Sequence, residues 1–142
     1  MQIFNESITV FNRRTDRLTN SVSYFKRIID NVAFISTKAV SSASDGIIGA
    51  DKFKVYIPYF AKTRENLSYI SPEDFDLSPL SGYTFNIGDI IVRGVCGKDI
   101  PPCSEPDVLK LSDAFEIFSI TEYPFGRKTR HRMICGGDWR GR

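Results

Sequence analysis

The chain has 142 residues, of which 42% are apolar and 13% aromatic, and this length fits one domain and leaves little room for two. Its net charge of +2 is too small to indicate a partner by itself, and no stretch approaches the roughly 20 apolar residues of a membrane span. The cysteines Cys96, Cys103 and Cys135 lack a CxxC pair, which excludes the dense pattern of a secreted disulfide scaffold. Because the N-terminal segment has no apolar run typical of a signal peptide, we expect an intracellular protein with reduced thiols.

The first third of the chain is predicted to form β-strands. Residues 7–13 and 21–29 alternate with a period of two, which indicates strands. The polar stretch between them predicts a hairpin with a longer loop. Residues 31–40 continue the β-rich composition after a predicted turn at Asp30 and Asn31.

The clearest amphipathic strand is predicted at residues 52–58, after the small and polar breaker at residues 41–46. Phe53, Val55 and Ile57 form its apolar face. The proline that follows is expected to end the strand or to place its end at an edge.

A long connection is predicted from about residue 61 to residue 84. Connections longer than roughly 15 residues are uncommon inside compact domains and are usually functional or flexible. Ser71 and Pro72 predict one short helical turn, with Ser71 as its N-cap. The loop is acidic, and its aromatic side chains are expected to lie against the body of the domain or against a partner. The candidate channel or subunit-contact residues of this loop are Glu65, Tyr69, Glu73, Asp74, Phe75 and Asp76.

The last third of the chain is predicted to alternate between strands and a helix. Strand patterns occupy residues 90–94, 115–123 and 130–135. A short helix is predicted at residues 105–113, with Pro106 near its start.

These patterns predict a mainly β fold, either a small β-barrel or a β-sandwich of about seven or eight short strands, with one short helix and a long loop. We expect residues 1–142 to form a single β domain. The sequence shows no internal repeat that would indicate a solenoid or a propeller.

The residues favour binding over catalysis. His131 is the only histidine, and the chain has no zinc-ligand spacing, Walker-type lysine or GxSxG segment, so we expect no metal, no cofactor and no enzymatic activity. A small enzyme is the alternative if the fold gathers His131, Cys135 and a carboxylate in one pocket. Gly88, Gly136 and Gly137 are interpreted as turn glycines that supply positive φ.

The C-terminal tail, from about residue 127 to residue 142, is basic. It holds six Lys or Arg residues against one acid, and the aromatic residues Phe125, His131 and Trp139 lie among or beside them. This mixture fits phosphate contact with base stacking and serves protein interfaces equally well; we favour a subunit contact. The candidate DNA or subunit contacts are Arg127, Lys128, Arg130, Arg132, Trp139, Arg140 and Arg142.

Five short segments give the chain a resemblance to known proteins. They are ITVFN at residues 8–12, YFKRIIDNVAF at 24–34, VYIPY at 55–59, GDIIVRG at 88–94 and IFSITEYPFGRKTRH at 117–131. In this order they resemble a group of short proteins encoded between the capsid and tail genes of tailed phages and prophages of Gram-positive bacteria.

The resemblance implies a phage neck protein, that is, a head-completion, connector or stopper protein between portal and tail. Stopper-type neck proteins are small β-barrels or sandwiches with long loops, they are arranged as rings around the DNA channel, and they have no enzymatic activity. Adaptors are usually helical, so the strand signals favour a stopper. The long loop is then expected to line or plug the channel or to clasp a neighbouring subunit.

The partners implied by the resemblance are further copies of the chain in a cyclic hexamer or dodecamer, the portal or adaptor ring, and the tail-completion and tail proteins. Packaged double-stranded DNA is the implied non-specific partner, and no membrane is implied. The implied location is the virion neck, assembled in the host cytoplasm. The alternative function is an OB-like nucleic-acid-binding module.

Overall fold

The computed structural model shows a closed antiparallel β-barrel with two short helices, and it describes residues 4–36, 53–100, 103–111, 113–126 and 130–137. In chain order the elements are β1 (Glu6–Thr15), β2 (Val22–Ser36), β3 (Phe53–Pro58), α1 (Pro72–Leu77), β4 (Ile90–Arg93), α2 (Glu105–Leu109), β5 (Ala114–Tyr123) and β6 (His131–Gly137). The strands close in the order β1-β2-β3-β6-β5-β4. The helices in this part of the chain are too short and too polar to cross a membrane.

The antiparallel strand order determines at which end of the barrel each connection lies. Every neighbouring pair of strands is antiparallel, so residues 16–21, 59–89, 124–126 and 130 all lie at one end, which we call the loop end. At the opposite end, the far end, β2 and β6 finish and β3 begins.

Apolar side chains from every strand fill the barrel. The alternation predicted for β3 is confirmed, because Phe53, Val55 and Ile57 are buried while the residues between them are half-buried. Full burial of one such side chain contributes roughly 1.5–3 kcal/mol. The interior cluster comprises Ile8, Val10, Ile29, Val32, Phe34, Phe53, Val55, Ile57, Ala61, Tyr83, Phe85, Ile91, Phe115, Ile117 and Ile134.

A second apolar cluster covers the outer faces of β1 and β4. Val108 and Leu109 of α2 pack there against Phe11, Ile90 and Val92. The helix begins at a capping box between Ser104 and Asp107. It ends at Leu109, earlier than the predicted residue 113.

The strands predicted at residues 21–29 and 31–40 form the single strand β2. The number of strands among the described residues is therefore six, rather than the predicted seven or eight. The predicted turn at Asp30 and Asn31 is wrong. Asn31 has a φ of 64°, and the register against β1 shifts between Glu6 and Ile8. One extra residue on one strand with a locally unusual φ is a β-bulge, which bends the strand without ending it. Residues 37–40 of the predicted strand lie outside the described residues.

Gly136 and Gly137 lie inside β6, so the predicted turn at this position is also wrong. A Cβ atom on Gly136 would stand 2.5 Å from the Glu116 carbonyl oxygen and would overlap the Phe115 ring. This glycine is therefore required by close packing. Gly88 is the turn glycine that the sequence predicts, with a φ of 100°.

Candidate interaction surface at the loop end of the barrel

The long connection, residues 59–89, is folded against the loop end. Tyr83 and Phe85 are 0% and 2% exposed and belong to the interior cluster, and Tyr69 packs edge-on against Tyr83 with 5.9 Å between ring centroids. The Tyr83 hydroxyl donates to the Ala61 carbonyl at 2.7 Å, and burial raises the pKa of Tyr83 to about 12. The connection therefore closes this end of the barrel and forms part of its core.

A buried polar network ties the end of the connection to β1. Asn12 is fully buried, and its side-chain amide donates to the Thr84 carbonyl at 2.6 Å and to the Asp89 carboxylate at 3.0 Å. Asp89 is 1% exposed and also accepts the backbone N–H groups of Arg13 and Asn86, each at 3.0 Å. Buried polar groups cost free energy unless they are hydrogen-bonded, so this network fixes the path of the chain into β4.

The stability of the barrel is expected to depend on the protonation of Asp89. Burial raises the pKa of this carboxyl group to about 6, above its ordinary value, so the folded chain holds the proton more tightly than the unfolded chain does. The tighter proton binding stabilises the folded chain. This contribution to the free energy of unfolding is fully present below about pH 4 and is lost as pH rises through about 6. Relative to Asp89→Asn, the wild-type free energy of unfolding should fall by up to about 3 kcal/mol between pH 4 and pH 7.

Urea unfolding of both proteins across this pH range measures the difference, and subtraction cancels the titration of the other groups. Asp74→Asn is the matched control, because Asp74 is an exposed carboxyl group on α1. If the difference in free energy of unfolding between the wild type and Asp89→Asn stayed constant with pH, or shifted in favour of the wild type as pH rises, the raised pKa of Asp89 would be contradicted.

Arginines of the barrel hold the acidic part of the connection. The Arg14 Nε donates to the Asp76 carbonyl at 3.0 Å, and the Asp76 carboxylate lies 3.8 Å from Arg14 and 3.9 Å from Arg17. Arg27 donates to the Pro79 carbonyl at 2.9 Å, and burial lowers the pKa of Arg27. Part of the acidic loop therefore pairs with bases of its own barrel.

Arg132 points into the loop end of the barrel. It is 8% exposed, and its guanidinium carbon lies 3.6 Å from the Tyr69 ring centroid and 4.2 Å from that of Tyr59. Its Nε donates to Glu122 at 3.1 Å, and the Tyr59 hydroxyl donates to the same carboxylate at 2.5 Å. Cation–π contacts of this kind contribute more when the cation is desolvated. Arg132 therefore packs the connection onto β6.

The candidate residues of the long loop divide into packed and exposed ones. Phe75 is 3% exposed and meets Phe25 edge-on with 5.6 Å between ring centroids. Tyr69 and Asp76 make the contacts given above. The remaining candidates are exposed: Glu65, Glu73 and Asp74.

Strand β6 lies within the predicted basic tail and runs from the loop end to the far end of the barrel. Arg130 precedes β6 at the loop end, where it is exposed and lies 6.0 Å from the Tyr59 ring centroid. Gly137 ends β6 at the far end. Five predicted contacts lie outside the described residues: Arg127, Lys128, Trp139, Arg140 and Arg142.

A groove of about 670 Å³ opens at the loop end between β1, α1 and the turn before β4. Its volume is typical of binding sites in proteins. Phe75, Thr84 and Asp89 are its buried lining residues. Its other lining residues are Arg13, Arg14, Thr15, Arg17, Pro72, Glu73, Asp76, Leu77, Asn86 and Ile87.

Among the described residues, most of the exposed large apolar side chains lie at the loop end, which also holds most of the described connections. The described part of the chain exposes eleven large apolar side chains, and eight of them lie in the loop-end connections or at the strand ends beside them. Contiguous exposed apolar surface is typical of sites of protein interaction. The eight residues are Leu18, Val22, Phe60, Leu77, Leu80, Ile87, Tyr123 and Phe125.

The hairpin and groove residues were missed by the sequence analysis. Arg17 and Leu18 lie in a stretch predicted only as a polar turn, and Leu18 is 95% exposed. A leucine inside a polar turn was the available signal. Arg13 and Ile87 carried no comparable signal, because only the folding of the connection brings them to one groove.

The groove does not contain the residues that the enzyme alternative requires. His131 lies on β6, stacked on Tyr123 with 4.8 Å between ring centroids and edge-on to Tyr56, and Cys135 is buried further along the same strand. Neither side chain lines the groove. Within the described ranges, no cluster of three His, Cys, Asp or Glu residues has the arrangement of a metal site.

Fold and surface together define a small, closed, six-stranded β-barrel whose longest connection seals one end and exposes apolar side chains there. The chain belongs to DUF6751, a family of unknown function, which it matches over residues 3–137. Comparison with curated proteins and with solved structures gives no match.

Proposed function

We propose that the protein is a structural subunit of a tailed-phage neck, a head-completion or stopper-type connector that forms a ring between the portal or adaptor and the tail around the DNA channel. The observation that carries the proposal is the concentration of exposed apolar side chains at the loop end. Such side chains are stabilised by burial against a partner protein. The segment resemblance described above supplies the phage neck as the assembly.

The way the connection is held supports a structural role. Leu77, Leu80 and Ile87 are 80%, 73% and 59% exposed, yet their connection is fixed to the barrel by the buried Tyr83 and by the Asn12 network. A preorganised contact surface loses little conformational entropy on binding. The connection therefore suits a subunit that presents a fixed surface to its neighbours.

The proposed partners are further copies of the chain in a cyclic hexamer or dodecamer, the portal or adaptor ring, and tail-completion or tail proteins. Arg130 is an exposed base at the loop end that does not line the groove, and it is the described candidate for non-specific contact with packaged DNA. The proposed location is the neck of the virion, with assembly in the host cytoplasm.

Ring assembly is tested by native mass spectrometry and negative-stain electron microscopy of the purified protein, alone and mixed with the portal ring proposed as its partner. We expect a closed oligomer of six or twelve copies, formed alone or on the portal. Leu77→Ser and Phe60→Ser should weaken it, because both remove exposed apolar surface at the loop end. Val95→Ser, which removes exposed apolar surface outside the loop end, is the matched control. A wild-type protein that stays monomeric and joins no portal or tail assembly would rule the proposal out.

A second candidate, an OB-like nucleic-acid-binding module, is favoured by one observation. Tyr123 is 37% exposed and stacks on His131, and the exposed Arg130 lies near Tyr59 on the same end of the barrel. Exposed aromatic rings beside arginine suit base stacking and phosphate contact.

The two candidates are distinguished by fluorescence anisotropy with a short labelled oligothymidine at two salt concentrations. The second candidate predicts tight binding that weakens steeply with salt and is lost in Tyr123→Ala/Arg130→Ala but kept in Lys98→Ala. Truncation of the basic tail is unsuitable, because it removes strand β6. Absence of binding at low salt would eliminate this candidate.

A further inference from the structure

The two walls of the loop-end groove carry opposite charges. On the β1 side, Arg17 has an 89% exposed side chain with its nearest acid, Asp76, 3.9 Å away. Arg13 is also exposed, and its charge acts on the buried Asp89, which lines the same groove. On the α1 side, Glu73 is exposed and lines the groove. A single carboxylate, that of Asp76, pairs with both Arg14 and Arg17, so the β1 wall keeps an excess of positive charge, and the α1 wall carries the exposed Glu73 carboxylate.

Apolar side chains flank this charge pattern. Leu77 and Ile87 line the groove and are 80% and 59% exposed. Leu18, 95% exposed, follows Arg17 at the tip of the β1–β2 hairpin. The hairpin tip therefore combines a cation with an apolar side chain, and the groove beside α1 combines an anion with apolar side chains.

We propose that this groove is a contact surface for a second copy of the chain, with the basic β1 wall of one copy against the acidic α1 wall of the other. The inference rests on the proposed function for the existence of an oligomer, and it names the surface that forms it. Identical copies supply both halves of the charge match, since each carries one basic wall and one acidic wall. Nucleic acid is a poor occupant, because Glu73 and Asp76 would face its phosphates.

Charge-reversal variants test the contact directly. In Arg17→Glu the β1 wall would face Glu73 with like charge, and in Glu73→Arg the α1 wall would face Arg17 with like charge. We expect each single variant to associate at least tenfold more weakly than the wild type, because like charges across an interface are repulsive. An equimolar mixture of the two variants should regain association, since the carboxylate introduced into the β1 wall of one chain then faces the guanidinium introduced into the α1 wall of the other.

The measurement is light scattering after size-exclusion chromatography, with native mass spectrometry to identify mixed species. Lys98→Glu is the control for a charge reversal outside the groove, and circular dichroism checks that the variants fold. Where the copies assemble only on a portal ring, the same variants are compared by the number of copies bound per ring.

The experiment distinguishes the absence of the groove contact from the absence of any oligomer. Wild-type rings that are unaffected by either reversal, or a mixture as weak as the single variants, would overturn the groove contact and leave the ring proposal intact. A wild-type protein that never associates, alone or on a portal ring, would overturn both.

Discussion

Replacement of Gly136 by alanine is expected to destabilise the barrel by about 3 kcal/mol, near the upper end of the range for overpacked interiors. The added Cβ atom would stand 2.5 Å from the Glu116 carbonyl oxygen and would overlap the Phe115 ring. The ring has little room to withdraw, because it stacks on Phe53 with 5.3 Å between centroids and 7° between planes. Strands β5 and β6 would have to separate locally to admit the methyl group.

Urea unfolding monitored by circular dichroism measures this effect. Gly97→Ala is the matched control, since no heavy atom lies within 4 Å of a Cβ atom built at that glycine. Equal unfolding midpoints for the two variants would show that β5 and β6 are not packed as described.

Replacement of Tyr83 by alanine is expected to cost about 4 kcal/mol, the range for truncation of a large buried aromatic side chain. Tyr83 lies on the long connection, is fully buried and packs against Tyr69 and Phe85. Its loss would leave a cavity at the loop end and would remove the hydrogen bond to Ala61. We expect the amide protons of residues 61–85 to exchange faster with solvent than those of the strands, because the connection would detach before the barrel unfolds.

Two further variants separate the contributions. Tyr83→Phe keeps the ring and should cost about 1–2 kcal/mol, because it leaves the Ala61 carbonyl without its donor. Phe60→Ala truncates an aromatic side chain of the same connection that is 70% exposed, and it should leave the free energy of unfolding nearly unchanged. If Tyr83→Ala behaved like Phe60→Ala, the connection would not be part of the core.

Strand alternation made much of the barrel predictable. The apolar face of β3 is buried as its period of two requires, and Ser71 and Pro72 begin a helix as their capping chemistry indicates. The bulge at Asn31 was not predictable, because the same residue types form turns and bulges alike. Only the pairing of β2 with β1 decides between the two outcomes.

The candidate surface was predictable in position but not in detail. The length of the connection pointed to residues 61–84, and its aromatic side chains were expected to lie against the body of the domain or against a partner. The sequence did not decide between these two, and the structure shows that Tyr69 and Phe75 pack inward. The period of two predicted a strand at residues 130–135. It did not show that Arg132 lies at the barrel interior, since that depends on Tyr59 and Tyr69 from a distant part of the chain.

The closure of the barrel has a consequence for how fast the protein folds. The seams that close it pair Ile8 with Arg93 and Phe53 with Gly136, so they join segments far apart in the chain. Loop-closure entropy must be overcome before such pairings stabilise the fold, and proteins dominated by them fold in milliseconds to seconds. The β1–β2 hairpin, whose strands are adjacent in sequence, is expected to form early, with the β1–β4 seam closing late. Newly synthesised chains would then pass through an open sheet with unpaired edges, a state prone to association with other chains.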